Sequence, residues 1–183
     1  IENNKGEGQM NGKLYVVGTP IGNLSDFSPR ARETLTSVDF IAAEDTRVTQ
    51  KLLNYFDIKK PLVSYYEHNR RERGEMIISR ILNGEVCAIV TDAGMPCISD
   101  PGQDLVYLCH ENGIQVESVP GPTAFATALA ISGMESGRFT FEGFLSTNKP
   151  SRKEHLEEVK NETRTMIFYE APHKLKATLK DMY

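Results

Sequence analysis

The run Thr91-Asp92-Ala93-Gly94-Met95-Pro96-Cys97-Ile98-Ser99-Asp100-Pro101-Gly102 sets two aspartates, two glycines and two prolines directly after an apolar stretch, Val86–Val90. Proline fixes φ and removes an amide donor, while glycine permits positive φ or close backbone approach. A plain strand-to-helix connection needs about 2–6 residues. This one is longer and stiffer, which predicts a ligand loop at the carboxyl edge of a sheet. Its carboxylates suit a cation better than a phosphate.

Other chemistry-bearing residues follow apolar runs in the same way. Gly18-Thr19-Pro20-Ile21-Gly22-Asn23 follows Leu14–Val17 but lacks both GxGxxG and GK[ST], which argues against a dinucleotide fold and a P-loop. Glu44, Asp45 and Arg47 follow Phe40–Ala43 and read either as a structural ion pair or as a substrate-facing acid or base. His68 and Asn69 follow Leu62–Tyr66, and Glu170 and His173 follow Thr165–Tyr169. The four histidines are scattered and no thiol pair accompanies them, so no metal site is expected. No GxSxG elbow supports a serine hydrolase. Cys87, Cys97 and Cys109 show no CxxC spacing and fit reduced thiols in a cytosolic protein.

These residues need a scaffold. Short apolar strands alternate with helical patterns: a helix from Pro29 to about Ser37 capped by Ser28, one capped by Thr46 with Val48, Leu52, Leu53 and Phe56 on one face, one carrying Met76, Ile77, Ile81 and Leu82, and one from near Gln103. A fifth strand spans Ile114–Val119. The pattern predicts an α/β fold with a largely parallel sheet covered on both faces. After Pro120-Gly121-Pro122, Thr123 is expected to cap an alanine-rich helix. The texture then changes to an alternating strand, Phe139–Leu145, a charged helix from about Ser151 to Lys160, and the strand Thr165–Tyr169. We therefore expect an N-terminal α/β domain over 13–122 and the start of a second, mixed α/β domain over 123–183, incomplete because a helix under way at Tyr183 has no C-cap. Residues 1–12, polar and glycine-rich with Ile1 at the head, read as a tag or disordered segment.

The net charge of −4 is unevenly spread. Arg47 to Arg80 holds eight basic residues against four acidic, Ile81 to Leu145 one against eight, and Ser146 to Tyr183 eight against six. An acidic middle flanked by basic segments suits a central cation and a polyanion at the edges; solvated faces without a partner are the alternative. No apolar run reaches the roughly 18 residues of a membrane span, and no signal peptide is present, so a cytoplasmic location is expected.

Gly18–Leu24, Ala43-Glu44-Asp45-Thr46-Arg47, Asp92–Pro96 through Asp100-Pro101-Gly102, Pro120-Gly121-Pro122, Gly143-Phe144-Leu145 and Phe168–His173 together resemble the tetrapyrrole methylase superfamily (class III S-adenosylmethionine-dependent methyltransferases). The resemblance is to its branch that modifies small-subunit ribosomal RNA. It implies two α/β domains, S-adenosylmethionine in the cleft between them, a homodimer, and 2′-O-methylation of a cytidine in the decoding region. It also implies that Pro20, Gly22, Asp92, Ala93, Gly94, Pro96, Ser99, Asp100, Thr123, Ala124 and Phe144 serve the cofactor. Ser146 and Lys174 depart from the branch's usual proline and arginine. A ribose hydroxyl benefits from a general base, for which Glu44, Asp45 and His68 are candidates. Arg47, Lys51, Arg70, Arg71 and Arg73 are placed to meet RNA phosphates of the small ribosomal subunit. Methylation of a tetrapyrrole carbon and a non-catalytic ribosome-binding domain are the competing readings.

Overall fold

The computed structural model describes residues 12–183, so the expectation for the opening segment lies outside it save for Gly12. Of the described residues, those up to Thr123 form one compact unit and Ala124–Tyr183 a second. The first unit is a five-stranded sheet of β1 (Lys13–Val17), β2 (Phe40–Ala43), β3 (Leu62–Ser64), β4 (Cys87–Val90) and β5 (Gln115–Val119). Spatial order is β3-β2-β4-β1-β5, and every pairing is parallel. All five strands therefore end at one edge.

The crossovers explain the layers. Connections β1→β2→β3 run toward one side of the sheet, and β3→β4→β5 run back toward the other. Parallel crossovers are right-handed, so opposite directions put their helices on opposite faces. α1 (Pro29–Ser37) and α2 (Thr46–Tyr55) accordingly bury Ala31, Leu35 and Leu53 against Val17, Ile41, Ala43, Ala88 and Val90. α3 (Arg70–Leu82) and α4 (Gln103–Glu111) bury Ile77, Ile81, Leu105 and Cys109 against Leu14, Phe40, Ala42, Cys87 and Ile89. Strands covered twice must be apolar at every position, which is why Phe40–Ala43 and Cys87–Val90 are buried throughout.

Caps set the local bounds. The Ser28 hydroxyl accepts from the Ala31 amide at 3.0 Å, and Pro29 opens α1 as expected. α2 differs from expectation: Asp45, not Thr46, is its cap. Asp45 keeps an extended backbone and its carboxylate accepts from the Arg47 amide at 2.8 Å, while Thr46 is already helical. β3 stops at Ser64 rather than Tyr66, because the Asn69 side chain takes over the next backbone partners. It accepts from the Tyr66 amide at 2.9 Å and donates to the Ser64 carbonyl at 3.2 Å.

The second unit pairs β6 (Phe139–Phe144) with β7 (Thr165–Tyr169) in parallel, with a register shift between Phe141 and Gly143. α5 (Ala124–Ser132), α6 (Lys149–Val159) and α7 (Leu175–Met182) accompany them. α6 starts earlier than expected because Asn148 caps it, accepting from the Ser151 amide at 3.2 Å. Phe125, Phe141 and Tyr169 form an aromatic cluster with ring centres 4.8 and 5.0 Å apart.

Candidate functional site

Parallel strands bring the loops after β1, β4 and β5 to one edge, and backbone contacts lock them together. Thr19 and Gly94 exchange hydrogen bonds, amide to carbonyl, at 2.9 and 3.1 Å. The buried Thr19 hydroxyl donates to the Thr91 carbonyl at 3.1 Å. The Gly18 amide donates to the Val119 carbonyl at 3.0 Å. A Cβ on Gly18 would stand 2.6 Å from Gly121 Cα and 2.7 Å from Met95 Sδ, so glycine is demanded here by the approach of a second backbone. Pro20, Gly94 and Pro96 are buried in this seam, whereas Gly22, Asp92 and Ala93 are exposed on it.

The loop after β4 is strained as well as rigid. Cys97 and Ser99 hold φ of 70° and 62°, which costs on the order of 1–3 kcal/mol each for a side-chain-bearing residue. Such strain clusters at functional sites.

Acidic groups gather where β2 and β4 end side by side. Ala43 pairs with Val90 in register, so the next residues, Glu44 and Thr91, fall opposite one another. The Thr91 hydroxyl donates to Glu44 Oε2 at 2.8 Å, and the Asp45 amide donates to Asp92 Oδ1 at 3.2 Å. Burial, followed by the charge of Glu44, pushes the Asp100 carboxyl up to about 6; the neighbouring Thr91 hydroxyl opposes this. Partial desolvation of the Asp92 carboxylate, then the charges of Glu44 and Asp45, raise it too, against the pull of the Asp45 amide and Arg47. Asp45 goes the other way: the Arg47 guanidinium, bonded at 2.6 and 3.0 Å, holds it at about 2.

Glu44, Asp92 and Asp100 thus come together, while His68 does not join them. It is exposed on the loop after β3, its ring edge-on to Tyr66 at 6.2 Å, and among the described residues it shares no hydrogen bond with Glu44 or Asp45. Ser99 is exposed on the same β4 loop, and Thr123 lies half-buried at the end of the first unit. Ala124 and Phe144 belong to the second unit, where the exposed Phe144 ring packs on Tyr169 at 5.4 Å. Arg47 and Lys51 are exposed on α2; Arg70, Arg71 and Arg73 are exposed in the first turn of α3. A helix start disfavours positive charge, and Arg71 meets Glu75 one turn on at 4.0 Å. Arg70 is already paired with Asp104 at 3.0 Å. Sequence reasoning placed Thr91 in the ligand loop without a role and read Tyr65 as a strand residue only. A threonine closing a buried strand was the available signal for the first.

Electrostatically this edge fits a cationic ligand. Three carboxylates, two of them held above their ordinary range by burial and by one another, are relieved by a positive charge. Among the described residues no group of three or more His, Cys, Asp or Glu side chains is placed to hold a metal. No helix among them is long and apolar enough to cross a membrane.

Residues 13–183 match the family model of the tetrapyrrole (corrin/porphyrin) methylases. A ribosomal RNA small subunit methyltransferase I from Synechocystis is 53% identical over 93% of this chain and 61% of its own length. The protein of that name from Thermotoga maritima is 50% identical over 93% of this chain and 77% of its own length. The chain spans about 60% of the length of several such relatives. Among solved structures, a cobalt precorrin-4 methyltransferase superposes with a TM-score of 0.68 at 20% identity, covering 95% of this chain and 74% of the other. That likeness establishes the fold.

Proposed function

The chain belongs to the tetrapyrrole methylase family, and we propose that within it the protein is an S-adenosylmethionine-dependent methyltransferase of small-subunit ribosomal RNA. The observation that carries this reading is the identity of about 50% to relatives named for that activity, against 20% to a tetrapyrrole-modifying enzyme of the same fold. The basic first turn of α3 supports it.

When bound, the cofactor supplies an activated methyl group on a sulfonium. Asp92 and Asp100 would favour that positive charge, and Pro20, Gly22, Ala93, Gly94, Pro96, Ser99 and Thr123 would complete its contacts in the first unit. The protein's own work is alignment, a proximity term worth up to about 7–11 kcal/mol. The seam locked by Gly18, Thr19, Gly94 and Gly121 supports it by fixing the loops. The acceptor in this reading is a cytidine 2′-hydroxyl of the decoding region, which needs a proton acceptor. Asp45, clamped by Arg47 and held at about 2, is a poor base. Glu44 is the better candidate, with His68 behind it. Arg47, Lys51, Arg71 and Arg73 would position phosphates, whereas Arg70 is engaged by Asp104 on the wall of a neighbouring cavity. A homodimer acting in the cytoplasm completes the reading.

Transfer of tritiated methyl from S-adenosylmethionine tests it. Label is expected in small ribosomal subunits, within alkali-resistant dinucleotides as 2′-O-methylation requires. Label entering only a porphyrinogen would shift the assignment to tetrapyrrole chemistry.

A further inference from the structure

A second feature of the carboxyl edge lies on the α3/α4 side of β4, away from the seam of glycines. A cavity of about 260 Å³ opens there, lined by Tyr65 and Glu67 from the end of β3, Arg70 from α3, and Ser99, Asp100 and Asp104 from the β4 loop and α4. Tyr65 is only 1% exposed, yet its hydroxyl has no hydrogen-bond partner among the described residues. Leaving a buried polar group unpaired costs about 1–3 kcal/mol, so such groups call for an explanation. The ring is held in place by a gap in α3: Gly74, mid-helix, lies beside Tyr65 Cε2, and a Cβ there would press on Leu108 Cδ1 at 3.2 Å. The hydroxyl is within electrostatic reach of Asp104, Arg70 and Cys97, all on the cavity wall. Burial pushes the phenol up to about 12, so it remains a donor at any working pH.

The lining selects the occupant. Three carboxylates face one guanidinium, and Asp104 already engages that guanidinium at 3.0 Å, so a phosphate is disfavoured. An ammonium ligand would use the carboxylates but not the Tyr65 and Arg70 donors. A neutral heterocycle with an amine beside ring acceptors uses both kinds of group. The volume suits a single nucleoside more than the roughly 300–1,000 Å³ of drug-sized sites. Gly102, the cap of α4, also lines the cavity and has no side chain to accept from the first-turn amides. Beside it, exposed Tyr66 and His68 offer aromatic faces on which a neighbouring base can stack.

We propose that this cavity receives an unstacked nucleobase bearing an exocyclic amine, a wall carboxylate accepting from the amine while Tyr65 and Arg70 donate to the ring acceptors. This rests on the RNA-methyltransferase reading and adds to it the place where the base is read. An amine-bearing pyrimidine fits; uracil sets a carbonyl against the carboxylate and is rejected.

Amide NMR of the protein titrated with cytidine and, separately, uridine tests it. Cytidine should shift the resonances of Ser99, Gly102 and Gln103, and uridine should do so at least several-fold more weakly. Tyr65→Phe should weaken cytidine binding about 3- to 10-fold while leaving thermal stability equal or higher, because an unpaired hydroxyl contributes nothing to the fold. Equal responses to the two nucleosides, shifts confined elsewhere, or affinity untouched by Tyr65→Phe would overturn the assignment. Calorimetry with S-adenosylmethionine separates the two readings. Cofactor binding with no cytidine response removes the base cavity alone, whereas a Tyr65-dependent cytidine response without cofactor binding upholds the cavity and removes the methyltransferase.

Discussion

The two sides of the carboxyl edge in the first unit are built by different means. On the β1–β4–β5 side, backbone meets backbone: Thr19 pairs with Gly94, and Gly18 touches Gly121. On the β2–β3 side, side chains do the joining, through Thr91 to Glu44, Asp92 to the Asp45 amide and Arg70 to Asp104. The first side owes its shape to sterics and has no room for an added atom at Gly18 or Gly121. The second owes its character to charge and hydroxyl placement, where substitutions alter chemistry before they alter shape. In the function proposed above, the first arrangement fixes the loops around the cofactor, and the second supplies Asp92 and Asp100 to its charge.

That contrast can be broken at its stiff side first. Gly18→Ala pushes a methyl into the Gly121 backbone, which cannot rotate away, and should cost about 3 kcal/mol or more by urea unfolding. A loss below about 1 kcal/mol would mean that the close approach is not maintained in solution.

A smaller effect is expected on the chemical side, where Asp100 sharpens the contrast. Its carboxyl sits at about 6 in the folded protein, above the usual 3.8, so the folded state binds the proton more tightly than the unfolded chain between those values. Stability from this group is therefore lost as pH rises from about 4 to 6. Asp100→Asn should flatten that dependence and gain about 1 kcal/mol at pH 7, allowing for the solvent that still reaches this half-buried group. Unfolding curves at pH 4.5 and 7 for both proteins check the sign. A wild-type protein that gains on the variant across this window would show that Asp100 is stabilised as a carboxylate.

Much of the scaffold was legible because its signals are local. Ser28-Pro29 fixes the start of α1, and the unbroken apolar tetrad Phe40–Ala43 fixes β2. The errors arose where two local signals compete or where a distant partner decides. Asp45 and Thr46 are both good caps, and only the backbone shows which one stays extended. Tyr65 and Tyr66 look like strand residues until the Asn69 side chain takes the Tyr66 amide and the Ser64 carbonyl. The acids at Glu44, Asp92 and Asp100 stood out singly in the sequence, but their meeting depends on β2 lying beside β4, an adjacency that chain order does not reveal. The orphaned Tyr65 hydroxyl was invisible for the same reason: its surroundings come from α3, α4 and the β4 loop.

The central claim is that the acidic end of β4 holds a sulfonium cofactor, and titration calorimetry with S-adenosylmethionine on wild-type protein and Asp92→Ala tests it most directly. Wild-type protein should bind one equivalent, and Asp92→Ala should bind about tenfold or more weakly, as expected on losing a charge-assisted contact, with an unchanged thermal midpoint. Equal affinity in the two proteins would contradict the account.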